Sequence, residues 1–430
     1  MKPTFFTKRM LWAGAGLALI ILIIAWQVQV NVVERINILE GQSHYVNFRL
    51  PFVYVRADRN DIVLFNGEQP PVEASRVSPP FNLEALNLGQ VNLHFSLFGR
   101  IPLRNITVNV LPEITLIPGG HSIGIKLYSE GVTVVGYYFF ESGGKSFSPA
   151  REAGIKIGDT ILAINGQPVK DVNRAAQILE RAGAKRIILS INREGEEMEL
   201  SLEPAYSAAD EGYRIGLYIR DSAAGVGTLS FYNPRTGSYG ALGHIVLDAD
   251  TNKPVNLSNG TIVKARIIDV KTARRGQPGE KTGIFMEHDN FSGNIEKNTS
   301  CGIFGRLHHF PYTDSPYPNP IPLALAALVE PGPAEILTVI EDDTIKSFYV
   351  EIEKVIYQDK PSDKGLVIRI TDEELIKKTG GIIQGMSGSP IIQNGRLVGA
   401  VTHVFVNDPT RGYGIFMEWM YQEAESLINN

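Results

Sequence analysis

The sequence predicts a mainly β chain built from modules: an N-terminal transmembrane helix, a small β region, a compact β module carrying one helix, and a C-terminal pair of β-barrels. Three observations carry this. Forty-two glycines and 25 prolines among 430 residues imply many turns. The apolar segments are short, bounded by Gly, Pro, Asn and Asp, and few sustain a helical period. One unbroken apolar run behind a basic flank opens the chain. The length alone suggests roughly three domains. A hydrophobic content of 43% with 20% charged residues places the chain among globular proteins. The net charge of −5 and the lack of a long basic run exclude nucleic acid as the main partner. With one cysteine, Cys301, no intramolecular disulfide can form, and Thr299-Ser300-Cys301-Gly302 carries no thiol-protease signature, so Cys301 reads as a small buried residue.

In chain order, Lys8 and Arg9 precede the apolar run Met10–Trp26. As a helix it would be about 26 Å long, just short of a ~30 Å hydrocarbon core. The run reads as a signal peptide or an uncleaved signal anchor; with no small-x-small cleavage site following, residues 1–30 fit the anchor better, and both readings export the remainder. Residues 31–111 form a small β-rich region with strands near 48–55, 61–65, 91–97 and 106–110 and no evident chemistry. Residues 112–205 resemble a PDZ domain. The resemblance rests on Ser148–Val169, containing Ile155-Lys156-Ile157-Gly158-Asp159-Thr160-Ile161-Leu162-Ala163-Ile164-Asn165-Gly166, and on the amphipathic helix pattern Asp171–Ala182. PDZ domains add a peptide to a strand edge beside a carboxylate-binding loop. Ser122, Ile123, Gly124 and Ile125 occupy the place of that loop and edge, so the resemblance assigns them to peptide binding. Residues 206–430 are β- and Gly-rich, of the size of a two-barrel protease, and end in a helical pattern at Met417–Ile428.

The chemistry centres on Gly385-Met386-Ser387-Gly388-Ser389-Pro390, followed by the hairpin Pro390–Ile392, Asn394-Gly395, Leu397–Val401. Glycines on both sides of Ser387 permit a sharp turn that presents the hydroxyl clear of the sheet, as chymotrypsin-like proteases do. In that arrangement the Gly385 and Ser387 amides form an oxyanion hole. An ordinary Gly/Ser/Pro loop would read the same in isolation. A serine nucleophile needs an imidazole base. Among eight histidines, His44, His94 and His121 lie outside this domain, His308-His309 sits in a Pro/Tyr-rich stretch, and His403 reads as a strand residue. His244, after the turn Gly240–Gly243, and His288 both precede the serine as the chymotrypsin-like order requires, and the pattern leaves both open. No zinc site has convincing ligand spacing, and no cofactor is implied.

An N-terminal anchor, one PDZ domain, Arg220-Asp221-Ser222-Ala223-Ala224-Gly225-Val226-Gly227-Thr228, Gly243-His244 and Gln384–Pro390 together resemble the stage IV sporulation protein B peptidases of endospore-forming bacteria, over essentially the whole chain. The resemblance implies a serine endopeptidase with His244 as base, Ser387 as nucleophile and Asp372 as the acid. Asp372 also reads as a helix cap in Thr371-Asp372-Glu373-Glu374, and Asp269 and Asp289 remain alternatives. It further implies a forespore-membrane protein facing the intermembrane space. Its substrates would be proteins of a membrane-bound regulatory complex, cut to activate the late mother-cell sigma factor, with self-cleavage that releases the enzyme. A non-catalytic PDZ scaffold and a general PDZ-carrying quality-control protease are the competing readings.

Overall fold

The structure, a computed structural model, describes residues 35–427 except 42, 47–51, 79, 143–144, 288, 311–314 and 359, together with Ile21. Apart from Ile21, the anchor expected in residues 1–30 lies outside the described residues, as does the candidate base His288. Among the described residues no helix is long and apolar enough to cross a membrane.

Two 16-residue strands organise residues 115–430: β1, Ser122–Tyr137, and β2, Leu217–Tyr232. They pair antiparallel along nearly their full length, from Ser122↔Thr228 to Tyr137↔Leu217. The register breaks between Tyr128 and Thr133, at Gly131. There φ is +92°, and a Cβ would lie 2.4 Å from the Ile161 carbonyl oxygen, so only glycine fits. This break separates two environments. Before it, Ile123, Ile125 and Leu127 point into one core with Leu229, Tyr239, Ile262 and Ile303. After it, Val132 and Val134 enter a different core with Ile161, Ile178, Leu189 and Ile191.

The first core fills a closed ring of six strands: β1, Leu257–Lys271, Ser292–Asn294, Gly302–His309, Ser238–Ala241 and β2, which returns to β1. A second closed six-stranded barrel runs Gly332–Val339, Ile345–Val355, Leu366–Ile370, Asp408–Phe416, Arg396–Phe405 and Pro390–Gln393. Alternating Ile336, Phe348, Val350, Ile352, Ile368 and Ile391 fill it. The terminal helix spans Met417–Glu425. His308 and His309 end a barrel strand instead of decorating a loop.

The PDZ module sits inside the first barrel's chain, between β1 and β2. Thr160–Ile164, Ile187–Arg193 and Glu196–Leu202 extend the sheet from β1. Helix α1, Val172–Ala182, covers it, its first turn capped by Asp171, which accepts from the Arg174 amide at 2.7 Å. The buried Asp159 receives two hydrogen bonds from the Arg193 guanidinium, at 2.8 and 2.7 Å.

This placement corrects the boundary at 112 and the peptide-binding assignment of Ser122, Ile123, Gly124 and Ile125. Those four residues are buried and belong to the barrel. One edge of that segment pairs with Thr228–Gly225 and the other, from Ile123, with Lys264–Ile262. A strand with both edges bonded cannot accept a peptide as a neighbour. The strand of the PDZ module tied to α1 is β2: the Asp221 carboxylate accepts from the Val172 amide at 3.0 Å.

The described residues from 35 to 114 belong to a separate unit. Its five-stranded sheet, Arg35–Leu39, Ile101–Leu111, Gly89–Leu97, Val53–Ala57 and Ser75–Val77, shares one core with the three-stranded sheet Ser43–Val46, Phe81–Ala85 and Val63–Phe65.

Candidate active site

The Ser387 turn is anchored on three sides. Before it, helix α2, Glu373–Thr379, ends at Gly380 in the left-handed conformation. Gln384 then bridges to the strand Glu280–Met286: its amide donates to the Gly279 carbonyl at 2.9 Å, and its carbonyl accepts from the Lys281 amide at 3.0 Å. Thr228 of β2 grips the turn twice. Its hydroxyl donates to the Gly385 carbonyl at 2.7 Å and its amide to the Ser387 carbonyl at 2.9 Å. Beyond the turn the Gly388 amide donates to the Val401 carbonyl at 2.7 Å. A Cβ at Gly388 would lie 2.0 Å from the Thr228 carbonyl oxygen and 2.5 Å from the Leu242 nitrogen, so this close approach of three segments requires glycine.

With the carbonyls of Gly385 and Ser387 turned toward Thr228, their amides donate to no protein acceptor among the described residues. Two such amides one residue apart are the donor pair of an oxyanion hole. Beneath Gly385 runs the stem of Lys281, whose Cβ, Cγ and Cδ would lie 3.2–3.4 Å from a Cβ there. Lys281 is buried, its ammonium donates to Thr338 Oγ1 at 2.8 Å, and burial lowers its pKa to about 7.

His244 reaches the same place from the first barrel. Leu242 and Gly243 both take positive φ, 69° and 73°, and turn the chain there. A Cβ on Gly243 would lie 2.8 Å from Thr402 Cγ2. Thr402 is the residue whose carbonyl accepts the Ser387 hydroxyl, at 2.8 Å. Sites that hold a non-glycine residue at positive φ between two catalytic candidates fit the pattern of strain kept at functional positions. His244 Nδ1 lies 2.9 Å from the Ile245 carbonyl oxygen. A carbonyl can only accept, so Nδ1 carries the proton and Nε2 the lone pair. Burial lowers the pKa of His244 below its ordinary value, while the Ile245 carbonyl and the charge of Asp363 pull it back up. The neutral imidazole with a basic Nε2 is the form a serine protease needs.

The structure does not bring Asp372 to this imidazole. Asp372 is the N-cap of α2: Oδ1 accepts from the Leu375 amide at 2.9 Å, and Oδ2 lies 3.4 Å from the Tyr349 amide. Asp289 Oδ1 accepts from the Phe291 amide, and Asp269 is exposed on the Leu257–Lys271 strand. Neither has a contact with His244 among the described residues. The carboxylate whose field reaches His244 is Asp363. The Asp363 carbonyl accepts from Thr402 Oγ1 at 2.8 Å, and Oδ2 lies 3.9 Å from His403 Nε2. His403 in turn stacks obliquely on His244, with ring centroids 5.1 Å apart. Sequence reasoning passed over Asp363 because it sits in the polar stretch Lys360-Pro361-Ser362-Asp363-Lys364, where no period or motif distinguishes it.

Among the described residues no group of three or more His, Cys, Asp or Glu side chains could hold a metal ion. Cys301 is buried, and burial raises its thiol pKa to about 11, which leaves it protonated and unreactive.

Residues 211–421 match the SpoIVB peptidase S55 family, and residues 142–193 match the PDZ domain. Among curated proteins, one of Treponema pallidum (strain Nichols), provisionally named a zinc metalloprotease, is 27% identical over 110 residues, 26% of this chain and 24% of its own. LL2128 of Lactococcus lactis subsp. lactis (strain IL1403), provisionally given the same description, is 34% identical over 70 residues, 16% of each chain. The chain thus spans about a quarter or less of the length of these relatives. Among solved structures, the active form of the Rv3671c protease from M. tuberculosis aligns at 16% identity over 46% of this chain and 72% of its own, with a TM-score of 0.26. The inactive form aligns at 15% identity over 46% and 81%, with a TM-score of 0.24. Superposition that loose carries no conclusion.

Proposed function

We propose that this chain, a serine peptidase whose residues 211–421 match the SpoIVB peptidase S55 family, is a sporulation endopeptidase that cuts protein segments, with Ser387 as nucleophile and His244 as base. One observation carries the assignment of residues. The Ser387 turn has its Gly385 and Ser387 carbonyls held by Thr228, its Gly385 and Ser387 amides donate to no protein acceptor among the described residues, and it packs on the segment that carries a neutral His244.

The chemistry follows from that arrangement. The Ser387 hydroxyl leaves the Thr402 carbonyl and turns to His244 Nε2. As Oγ attacks the scissile carbonyl carbon, its proton passes to Nε2, and the carbonyl π pair moves onto oxygen. The Gly385 and Ser387 amides receive that oxyanion. The tetrahedral carbon then expels the amine, which takes the proton from Nε2. Water, deprotonated by the same nitrogen, releases the acyl group. Asp363, through its charge, favours the imidazolium that forms in both halves.

The PDZ module reads an extended segment or chain terminus and gates the site. The Met10–Trp26 run behind Lys8 and Arg9 anchors the enzyme in the forespore membrane, facing the intermembrane space. There it cleaves a membrane-bound regulatory complex and so triggers activation of the late mother-cell sigma factor. Cutting its own N-terminal region releases it. The test is replacement of the chromosomal copy by Ser387→Ala in a spore-forming host. The expected result is loss of late mother-cell transcription with the protein present at normal level. Unchanged transcription refutes the signalling role. Broad degradation of unfolded proteins by the purified enzyme would instead favour quality control.

A further inference from the structure

One strand joins the PDZ module to the nucleophile turn. At its start, Leu217 and Ile219 of β2 pack on the PDZ core and pair with β1 at Tyr137 and Val134. Eight residues beyond Arg220, the same strand presents Thr228, whose hydroxyl holds Gly385 and whose amide holds Ser387. A second tie runs beside it. Arg220 Nη1 lies 2.8 Å from Asp250 Oδ2 and 3.7 Å from Asp248 Oδ2, and the PDZ hairpin's Glu194 meets Lys253 Nζ at 3.1 Å. Asp248 Oδ1 gathers the Asp250 and Thr251 amides, so this loop, which leaves His244 four residues earlier, is itself ordered. A cleft of about 430 Å³ between the two bodies is lined by Thr160 and Glu194 on one side and Asp248 and Lys253 on the other, with Arg220 between. None of its lining residues is Ser387 or His244.

Taking the peptidase reading as given, we propose that Thr228 is a positioning residue for the oxyanion turn and that Arg220, through β2 and the Asp248–Lys253 loop, makes its grip depend on the PDZ module. The argument is geometric. Thr228 holds the carbonyls of the Gly385–Met386 and Ser387–Gly388 peptide units, which flank the Met386–Ser387 unit that carries the Ser387 amide, so the torsions that aim this donor at the hole are fixed from both sides. The grip comes from a two-stranded ribbon paired on both sides of its irregular point, so a shift at the PDZ end moves Thr228 rather than dissipating in a loop.

The test is the rate of fluorophosphonate labelling of the full chain, measured against probe concentration. Thr228→Val keeps the shape and the amide bond and removes only the hydroxyl donor. The maximal labelling rate should fall about 10- to 100-fold, less than for outright loss of one oxyanion donor. The half-saturating probe concentration should stay unchanged, and Thr228→Ser should restore the rate. Arg220→Gln, at a partly exposed position, should slow labelling roughly 3-fold or more in the wild type and have no further effect in the Thr228→Val background, as residues acting through one element do. Wild-type rates in folded Thr228→Val overturn the positioning role. If that variant does not fold, wild-type rates in Arg220→Gln overturn the coupling, as do additive effects of the two substitutions. Absence of labelling in the wild-type protein would fail the peptidase assignment instead, which keeps the two failures distinct.

Discussion

Lys281→Met isolates the energetic cost of a buried lysine under the oxyanion turn. The Lys281 side chain is buried, and its pKa falls from 10.5 to about 7 because burial penalises the ammonium. Between those values the unfolded chain holds a proton that the native chain lacks, so native stability rises with pH across that window. At pH 7 the cost is about 4 kcal/mol, from ~1.4 kcal/mol per pH unit across the shift. At pH 10 it is below about 1 kcal/mol. Methionine matches the stem that packs on Gly385 but leaves Thr338 Oγ1 without its donor, a loss of about 1–3 kcal/mol. The variant should therefore be more stable than wild type by about 1–3 kcal/mol at pH 7 and equal or less stable at pH 10. Urea unfolding of both proteins at pH 7, 8.5 and 10 reads this directly. A difference that does not change with pH would show that Lys281 is not deprotonated by burial and would refute the reasoning.

Other consequences are as direct. Asp372→Ala should cost about 1 kcal/mol of stability through the lost cap on α2, with probe labelling within about 3-fold of wild type, whereas Asp363→Asn should slow labelling about 10-fold or more by removing the charge that favours the imidazolium. Abolished labelling in a folded Asp372→Ala protein would restore Asp372 to the triad. Activity depends on neutral His244, whose pKa burial lowers, so the acid limb of kcat/KM should have its midpoint below 6.5. A midpoint at 7 or above would contradict the burial argument. Cys301, with its thiol pushed up to about 11, should resist alkylation at pH 7.5 in the native protein and react once unfolded in urea.

Much of the β architecture could be read from the chain because alternation and turn residues are local signals. Gly385-Met386-Ser387-Gly388 announced its sharp turn for the same reason, since the glycine at 388 is forced by contacts that any such turn must make. What stayed hidden was long-range pairing. Ser122-Ile123-Gly124-Ile125 has the small-apolar pattern of a PDZ loop, and the same pattern serves a barrel strand, because both need period-2 burial beside a close backbone neighbour. Nothing in the sequence says that its partners are Thr228 and Lys264, or that the PDZ module is inserted within the barrel. Asp372 shows the same limit in reverse. Its capping signature was local and describes where the structure puts it, whereas the acid role depended on a distance that only the fold sets. Asp363 and His403 converge from separate segments and carry no local mark.

The measurement that bears most directly on the account is covalent labelling of the purified protein by a fluorophosphonate probe, in wild type, Ser387→Ala and His244→Ala, with the modified residue located by mass spectrometry. The expected result is a single adduct on Ser387 in the wild type, none in Ser387→Ala, and a rate reduced by about 10³-fold or more in His244→Ala. An adduct on another residue, or labelling that survives in folded Ser387→Ala, would contradict the assignment of this turn as the catalytic centre.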